Sequence, residues 1–389
     1  MKICFVMSNI CTLGGVQRVV SVLCNELIKY YEIDILCVSK EIKNNGDLYK
    51  LNSKINVKFK YNFVKTNLID KSFRKIVKDI NKFVGILNNE RYYTNLLNIY
   101  FPIKVRTQFI EYLNYNKYDV VIGVEGLYSI LLGSIKEKLN SKVIGWQHNS
   151  YEAYLKNKNK YYWNLNILFN KYVSKLDRYI VLNEHDDEMY MKEMGISCDV
   201  IYNPTSFKSD IKSKVNSNIF LAAGRFNYQK GFDLLLQSFK VFSMENTDWK
   251  LVIVGDGEEK NKLLKTIKEF QLEDRVEIHN FTNNISDYFL KSSVLLLSSR
   301  WEGMPMIVLE ALEMGVPIIT YDITAVRPLV THMVEGVIVN KFDITAFADA
   351  MIRISKSENL RKNMSRNAIS KSKLFDISTI IKKWQNLLI

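Results

Sequence analysis

The sequence predicts an α/β protein built from two doubly wound domains. Three observations carry that prediction. Apolar runs of strand length alternate with stretches of helical spacing through both halves of the chain. The length, 389 residues, suits two domains of roughly 100–200 residues each. A break at Asn203-Pro204-Thr205, followed by a Ser- and Lys-rich stretch through Asn218, interrupts the alternation near the middle. The expected division is 1–203, 204–374 and a C-terminal helical segment 375–389.

In the first half, Ile3–Met7 reads as a strand and 8–15 as the loop after it. Val16, Val19, Val20, Leu23 and Leu27 then repeat at helical spacing. Ile33–Val38, Val120–Gly123, Val143–Gly145 and Tyr179–Leu182 are further strands, the last followed by a polar helix start at Asn183. In the second half the strands are Ile219–Gly224, Leu251–Gly255, Val276–Ile278, Val294–Leu297 and Val316–Thr320. Phe232, Leu235, Leu236, Phe239 and Phe242 mark one helix, and a second is expected over about 304–314. Ile380, Ile381, Trp384 and Leu388 give the last helix an apolar face.

An apolar content of 47% with 24% charged residues excludes global disorder and a collagen-like fibre. No run approaches the roughly 18 apolar residues of a membrane span, so an integral membrane protein is not expected. Met1–Met7 is too short for a signal-peptide core. Cys4, Cys11, Cys24, Cys37 and Cys198 form no C-x-x-C pair and join no His cluster. They read as small buried hydrophobes in a reducing cytoplasm, and no metal site is expected. The formal charge of +13 asks for an anionic partner.

Four stretches carry chemistry. Gly14-Gly15 closes the first strand–helix turn, where backbone amides at a helix N-terminus can meet an anion, although ordinary turns also use glycine. The turn is neither a G-x-G-x-x-G fingerprint nor a P-loop. Arg225 and Lys230 lie in a glycine-bounded loop at the carboxyl end of a strand, where open α/β sheets bind ligands. A planar fork and a point charge suit a diphosphate, with a solvated loop as the bland alternative. Glu302 precedes a helix and Glu310 lies within it. Gly303, Met304 and Pro305 stand between, with Pro305 expected in the first helical turn. A carboxylate in the apolar run 306–312 needs donors, such as ribose hydroxyls, unless it sits on an exposed face. His148 and Asn149 end the strand Val143–Gly145, a placement open to either a structural or a functional histidine.

Taken together, the E-x7-E spacing of Glu302 and Glu310, the Gly14-Gly15 turn, the Arg225/Lys230 loop and the His148-Asn149 strand end resemble the retaining glycosyltransferases of family 4. The resemblance extends over nearly the whole chain and is most specific over 222–233, 254–257 and 298–320. It implies the GT-B fold, two Rossmann-like domains facing across a cleft, with the last helix crossing back to the first domain. It also implies roles. Gly14 and Gly15 would contact the donor phosphates, and Arg225 and Lys230 would neutralise them. Glu310 would bind the ribose, and Asn280-Phe281 would border the base. Glu302 with Gly303, Met304 and Pro305 would hold the donor sugar, and His148 would lie near its reacting face. Arg18 and Asn149 would stand on the acceptor side. Two stretches, 321–327 and 331–336, depart from the family's usual glycine-containing turns.

The implied activity is transfer of a hexose or N-acetylhexosamine, UDP-linked, to a lipid-linked bacterial surface glycan, without metal or cofactor. No two Asp residues are separated by a single residue, so the D-x-D pair of metal-dependent transferases is missing. A nucleotide-sugar 2-epimerase shares the architecture and is the alternative. Nucleic acid is not an expected partner, because no zinc-finger, RNP or helix-turn-helix signature occurs. Residues 54–178 hold 22 Lys and Arg against 9 Asp and Glu, which accounts for the whole net charge. Within them Phe73, Ile76, Val77, Ile80, Phe83, Val84 and Leu87 form an apolar stripe, with Lys71, Arg74, Lys75, Lys78 and Lys82 off it. A basic amphipathic helix fits an anionic membrane surface, at the inner face of the cell membrane. Packing of the stripe into the domain core is the alternative.

Overall fold

Every strand pairing is parallel, in two separate sheets. The computed structural model describes residues 1–41, 49–65, 68–246 and 248–389. One unit comprises Met1–Tyr202 with Ile381–Ile389, and the other Asn203–Ile380.

The first unit holds β1 (Lys2–Met7), β2 (Glu32–Cys37), β3 (Asn56–Phe59), β4 (Val120–Val124), β5 (Lys142–Trp146), β6 (Arg178–Val181) and β7 (Asp199–Val200), in the order β3-β2-β1-β4-β5-β6-β7. Its helices are α1 (Gly15–Leu27), α2 (Leu68–Val84), α3 (Tyr93–Tyr100), α4 (Ile103–Tyr115), α5 (Gly126–Ile135), α6 (Asn166–Tyr172) and α7 (Glu184–Met194). Ile3, Cys4, Phe5 and Val6 are wholly buried, as a parallel strand covered on both faces requires. Cys24 and Cys37 are buried with them. Helix α7 shows why its sequence starts and stops where it does. Asn183 caps it by accepting from the Asp186 amide at 2.9 Å, and Gly195 ends it with φ at +66°.

Helix α2 is turned against the usual rule. Phe73, Ile76, Ile80, Phe83 and Val84 are exposed, while Asn81 is fully buried. Asn81 donates to the Asn164 carbonyl at 3.0 Å and accepts from the Leu87 amide at 2.8 Å. These polar contacts fix the inward face, and Lys78 lies 4.5 Å from the Tyr100 ring centre. Packing of the stripe into the core is therefore overturned for those five residues. Leu87, beyond the helix, rests on the core.

The second unit holds β8 (Ile219–Ala223), β9 (Lys250–Val254), β10 (Val276–His279), β11 (Val294–Leu297), β12 (Ile318–Tyr321) and β13 (Gly336–Val339), ordered β10-β9-β8-β11-β12-β13. Around them run α8 (Phe232–Glu245), α9 (Lys260–Glu269), α10 (Ile285–Lys291), α11 (Met306–Met314), α12 (Ile344–Ser355), α13 (Glu358–Ser372) and α14 (Ile377–Leu388). The polar stretch after Pro204 packs onto its own unit. Lys212 reaches Glu313 of α11 at 2.6 Å, Lys208 reaches Asp376 at 2.5 Å, and the Ser213 amide donates to the Met314 carbonyl.

The unit division falls within α14, whose residues from Ile381 onward belong to the first unit. There Trp384 is fully buried, its ring edge-on to Trp146 at 4.8 Å. Lys142 donates to the Leu387 carbonyl at 2.8 Å, a cation at the carboxyl end of a helix.

Candidate active site

In the second unit the predicted residues gather at the carboxyl edge of the sheet. Strand β8 ends at Ala223, and the loop beyond it folds on itself. Asn227 Oδ1 accepts from the Lys230 amide at 3.2 Å, and Gly231 takes φ +63° to start α8. A Cβ on Gly231 would stand 2.2 Å from the Ser298 carbonyl oxygen, so only glycine fits. Ser298 Oγ in turn donates to the Lys230 carbonyl at 2.9 Å.

Pinned this way, Lys230 Nζ meets Glu302 Oε1 at 2.6 Å. The same carboxylate accepts from Ser299 Oγ at 2.7 Å, with Gln229 Nε2 3.5 Å from its other oxygen. Glu302 is buried, and these donors make its charge tolerable there. The sequence reading pairs Lys230 with Arg225 as the point charge and planar fork of one diphosphate site. The structure separates them: Arg225 is exposed and Lys230 is half-buried against a carboxylate. A third cation, Arg300, is committed to structure. Its guanidinium grips both carboxylate oxygens of Asp233, at 2.9 and 2.7 Å, and lies 3.9 Å from the Tyr228 ring centre.

Glu310 lies inside α11 at 1% exposure and accepts from Ser206 Oγ at 2.5 Å. The exposed-face alternative is thereby overturned. Ser206 is a donor that sequence reasoning did not name. Helix α11 starts at Met306 with Pro305 just ahead of it as its cap, a small correction to the expected start near 304. Gly303, Met304 and Pro305 are buried, and among the described residues the amides of Gly303 and Met304 donate to no protein acceptor. The Met304 sulfur accepts from the Asn203 amide at 3.1 Å. At the end of β10, Asn280 is held by Lys260 at 2.7 Å, and Phe281 stands exposed beside it.

In the first unit, Gly14 precedes α1, and its amide is occupied by the Tyr49 hydroxyl at 2.8 Å. Gly15 opens the helix with no neighbour where a side chain would stand. Arg18 is half-buried on the first turn of α1. Thus of the two glycines only Gly15 faces open space.

His148 follows β5 directly. Its ring lies 4.2 Å from that of Trp146, its amide meets the Tyr154 hydroxyl at 3.2 Å, and its Nε2 is sealed from solvent with no hydrogen-bond partner. Burial pushes the imidazole down to about 3, so it is neutral at physiological pH. It can give or receive one hydrogen bond but brings no positive charge. Asn149 is buried and accepts from the Ser150 amide at 3.0 Å.

Sequence reasoning missed the residue that holds this loop. Asp186, wholly buried on α7, accepts from Gln147 Nε2 at 2.7 Å and from the Tyr151 amide at 2.9 Å. These bonds bracket His148 and Asn149. Burial pushes the Asp186 carboxyl up to about 7. The available signal was the Asn183-Glu184-His185-Asp186 helix start, which reads as capping alone. Among the described residues no group of three or more His, Cys, Asp or Glu side chains is arranged to hold a metal ion. No helix among them is long and apolar enough to cross a membrane.

Two parallel sheets, each wrapped by helices and each carrying polar groups at its carboxyl edge, have the make-up of the GT-B fold, which the solved structure below shares. Residues 205–371, most of the second unit, match the family model described as glycosyl transferases group 1. Over its full length the chain is 26% identical to an uncharacterised glycosyltransferase of Haemophilus influenzae, covering 99% of that protein. It is 25% identical over 395 residues to a Campylobacter jejuni enzyme, covering 100% of this chain and 98% of that one. That enzyme is named GalNAc-alpha-(1->4)-GalNAc-alpha-(1->3)-diNAcBac-PP-undecaprenol alpha-1,4-N-acetyl-D-galactosaminyltransferase. Among solved structures, a mutant of S. aureus TarM in complex with Fondaparinux, alpha-GlcNAc-glycerol and UDP superposes with a TM-score of 0.76 at 14% identity. The match covers 100% of this chain and 99% of that one.

Proposed function

We propose that this chain is a retaining, family 4 glycosyltransferase that moves a hexose or N-acetylhexosamine from a UDP-sugar to a lipid-diphosphate-linked bacterial surface glycan. The observation that carries the reading is the pairing of Lys230 with Glu302, with Glu310 buried in the helix that follows, all on the matched family domain. The Campylobacter relative's undecaprenol-linked acceptor and the UDP in the TarM complex support the choice of substrates.

Glu310 would accept from the ribose hydroxyls, and the Gly303 and Met304 amides with Glu302 would hold the donor sugar. Lys230, with Arg225 and the amide of Gly15, would stabilise the charge that develops as the sugar–diphosphate bond breaks. In same-face attack the acceptor oxygen bonds to the anomeric carbon while the bond to the diphosphate breaks. The bonding pair leaves with the diphosphate, and one of its oxygens takes the acceptor's proton. Neutral His148 is suited to hydrogen-bond the sugar near its reacting face, and Arg18 and Asn149 would stand by the acceptor. No metal is required by this scheme.

The same reading places the protein at an anionic membrane surface. The exposed Phe73, Ile76, Ile80, Phe83 and Val84 of α2, with Lys71 and Lys75 beside them, support it. Each basic residue near such a surface contributes about 1 kcal/mol. The test incubates purified protein with a panel of UDP-sugars and synthetic GlcNAc-diphospholipid, following UDP release and assigning the product anomer by NMR. Release of UDP with an α-linked product is expected from an α-linked donor. A β-linked product would overturn retention, and no release with any donor would overturn the transferase reading.

A further inference from the structure

The link from β4 to α5 is one residue, Glu125, between Val124 at the strand end and Gly126 at the helix start. Its φ of +74° with ψ of 163° lies where glycine is at ease and a side chain is strained. Glycines stand two residues before it and directly after it, for steric reasons. A Cβ on Gly123 would stand 2.8 Å from the backbone of Tyr128, and one on Gly126 would stand 2.4 Å from the Tyr162 ring. At the position where the backbone itself asks for glycine, the chain has a glutamate. A sharp strand-to-helix turn that displays a strained side chain at the sheet's carboxyl edge is the geometry by which other α/β enzymes present a reactive group.

Its location adds to this. From β1 the sheet runs through β2 to β3 on one side and through β4 to β7 on the other. The carboxyl ends of β1 and β4 are therefore the point of strand-order reversal, where such sheets take ligands. The Glu125 amide donates to the Trp146 carbonyl at 2.9 Å, tying it to the strand end that carries His148. The charge of the Glu125 carboxylate is felt by the hydroxyls of Tyr128, Tyr154 and Tyr162, and helps hold them protonated. Among the described residues no protein donor reaches it, and burial alone pushes it up to about 7.

We propose that Glu125 binds a hydroxyl of the acceptor sugar in the first unit, as a specificity-determining residue. The inference rests on the transferase reading for the identity of that ligand. The chemistry selects the sugar over the diphosphate: a carboxylate accepts from hydroxyls and repels phosphate oxygens. The strain is retained because a glycine, though easier to fold there, has nothing to bind with.

The experiment is calorimetric titration of wild type, Glu125→Gln and Glu125→Gly with short-chain GlcNAc-diphospholipid, and separately with UDP. Expected is at least tenfold weaker acceptor binding in both variants, UDP affinity unchanged within twofold, and a higher melting temperature for Glu125→Gly. In turnover, KM for the acceptor rises in Glu125→Gln while KM for the donor stays. Acceptor affinity equal to wild type in Glu125→Gln overturns the proposal, as does a wild type that binds no acceptor. Failure of wild type to bind UDP would instead strike the transferase reading, since the acceptor titration contains no nucleotide.

Discussion

Lys230 Nζ lies 2.6 Å from Glu302 Oε1, and the two side chains are only 20% and 8% exposed. A pair held this way is costly to break from one side. Lys230→Ala leaves a buried carboxylate with Ser299 as its main donor, a loss of about 3 kcal/mol at the low end for buried pairs. Transfer should fall about 100-fold or more through the lost charge on the leaving diphosphate. Combining Lys230→Met with Glu302→Gln should restore most of the stability and none of the activity. Urea unfolding and UDP release check both halves. Full transfer by Lys230→Ala would remove Lys230 from the site.

Glu310 allows a cleaner separation of binding from folding, because Glu310→Gln keeps an oxygen for Ser206. Expected is about tenfold weaker UDP binding, the scale of one charge-assisted hydrogen bond of about 1.5 kcal/mol. The melting temperature should move little. Equal UDP affinity in the variant would show that Glu310 does not touch the nucleotide.

The legible parts of the fold share a physical cause. Strands β8 and β11 are unbroken apolar runs, and β1 and β9 are so after a leading Lys, because both faces of a parallel sheet are covered. Strands β3 and β7 are short and carry polar residues, so no run signals them. Strand β13 is an apolar run of four residues that the sequence reading passed over. Helix α5 is apolar nearly all round and therefore shows no stripe. At the site, the eight-residue spacing of Glu302 and Glu310 and the strand-end position of His148 could be read along the chain. The Lys230–Glu302 contact could not, since the partners are 72 residues apart. Glu125 and Asp186 were invisible for another reason. Their distinguishing features, a positive φ and complete burial, belong to the folded backbone and not to any motif.

Trp384 tests how much the C-terminal segment contributes to the first unit. It is fully buried edge-on to Trp146. Trp384→Ala should cost about 3–5 kcal/mol, as for other large core truncations. Trp384→Phe should cost less by keeping an aromatic edge. Fluorescence-detected urea unfolding reports the difference, and a loss under about 1 kcal/mol for the alanine would contradict the packing.

Helix α2 makes the opposite prediction. Phe83 is 74% exposed and Phe73 61%. Replacing both with Ser should leave unfolding free energy within about 0.5 kcal/mol per site, since neither supports the core. Sedimentation with anionic liposomes at low salt should drop several-fold, and neutral liposomes should bind poorly throughout. Undiminished sedimentation of the double variant would remove α2 from any membrane contact.

Asp186 gives a pH dependence whose sign follows from its raised pKa. Burial lifts the carboxyl from 3.8 to about 7, so the folded protein holds this proton over a range where the unfolded chain has released it. The unfolded state then binds fewer protons, and the contribution from this site falls as pH rises from about 4 to about 7. Above 7 both states are ionised and the slope from this group vanishes. Glu125, lifted to about 7 by burial, adds a slope of the same sign over nearly the same window. Asp186→Asn has no proton to release. Its unfolding free energy should therefore decline less steeply than wild type between pH 4 and 7, even though the variant is less stable at the acid end. The loop it brackets should loosen, so kcat should fall with UDP affinity unchanged. Parallel slopes in the two proteins, measured by urea unfolding at half-unit steps, would mean that Asp186 is ionised across the whole range.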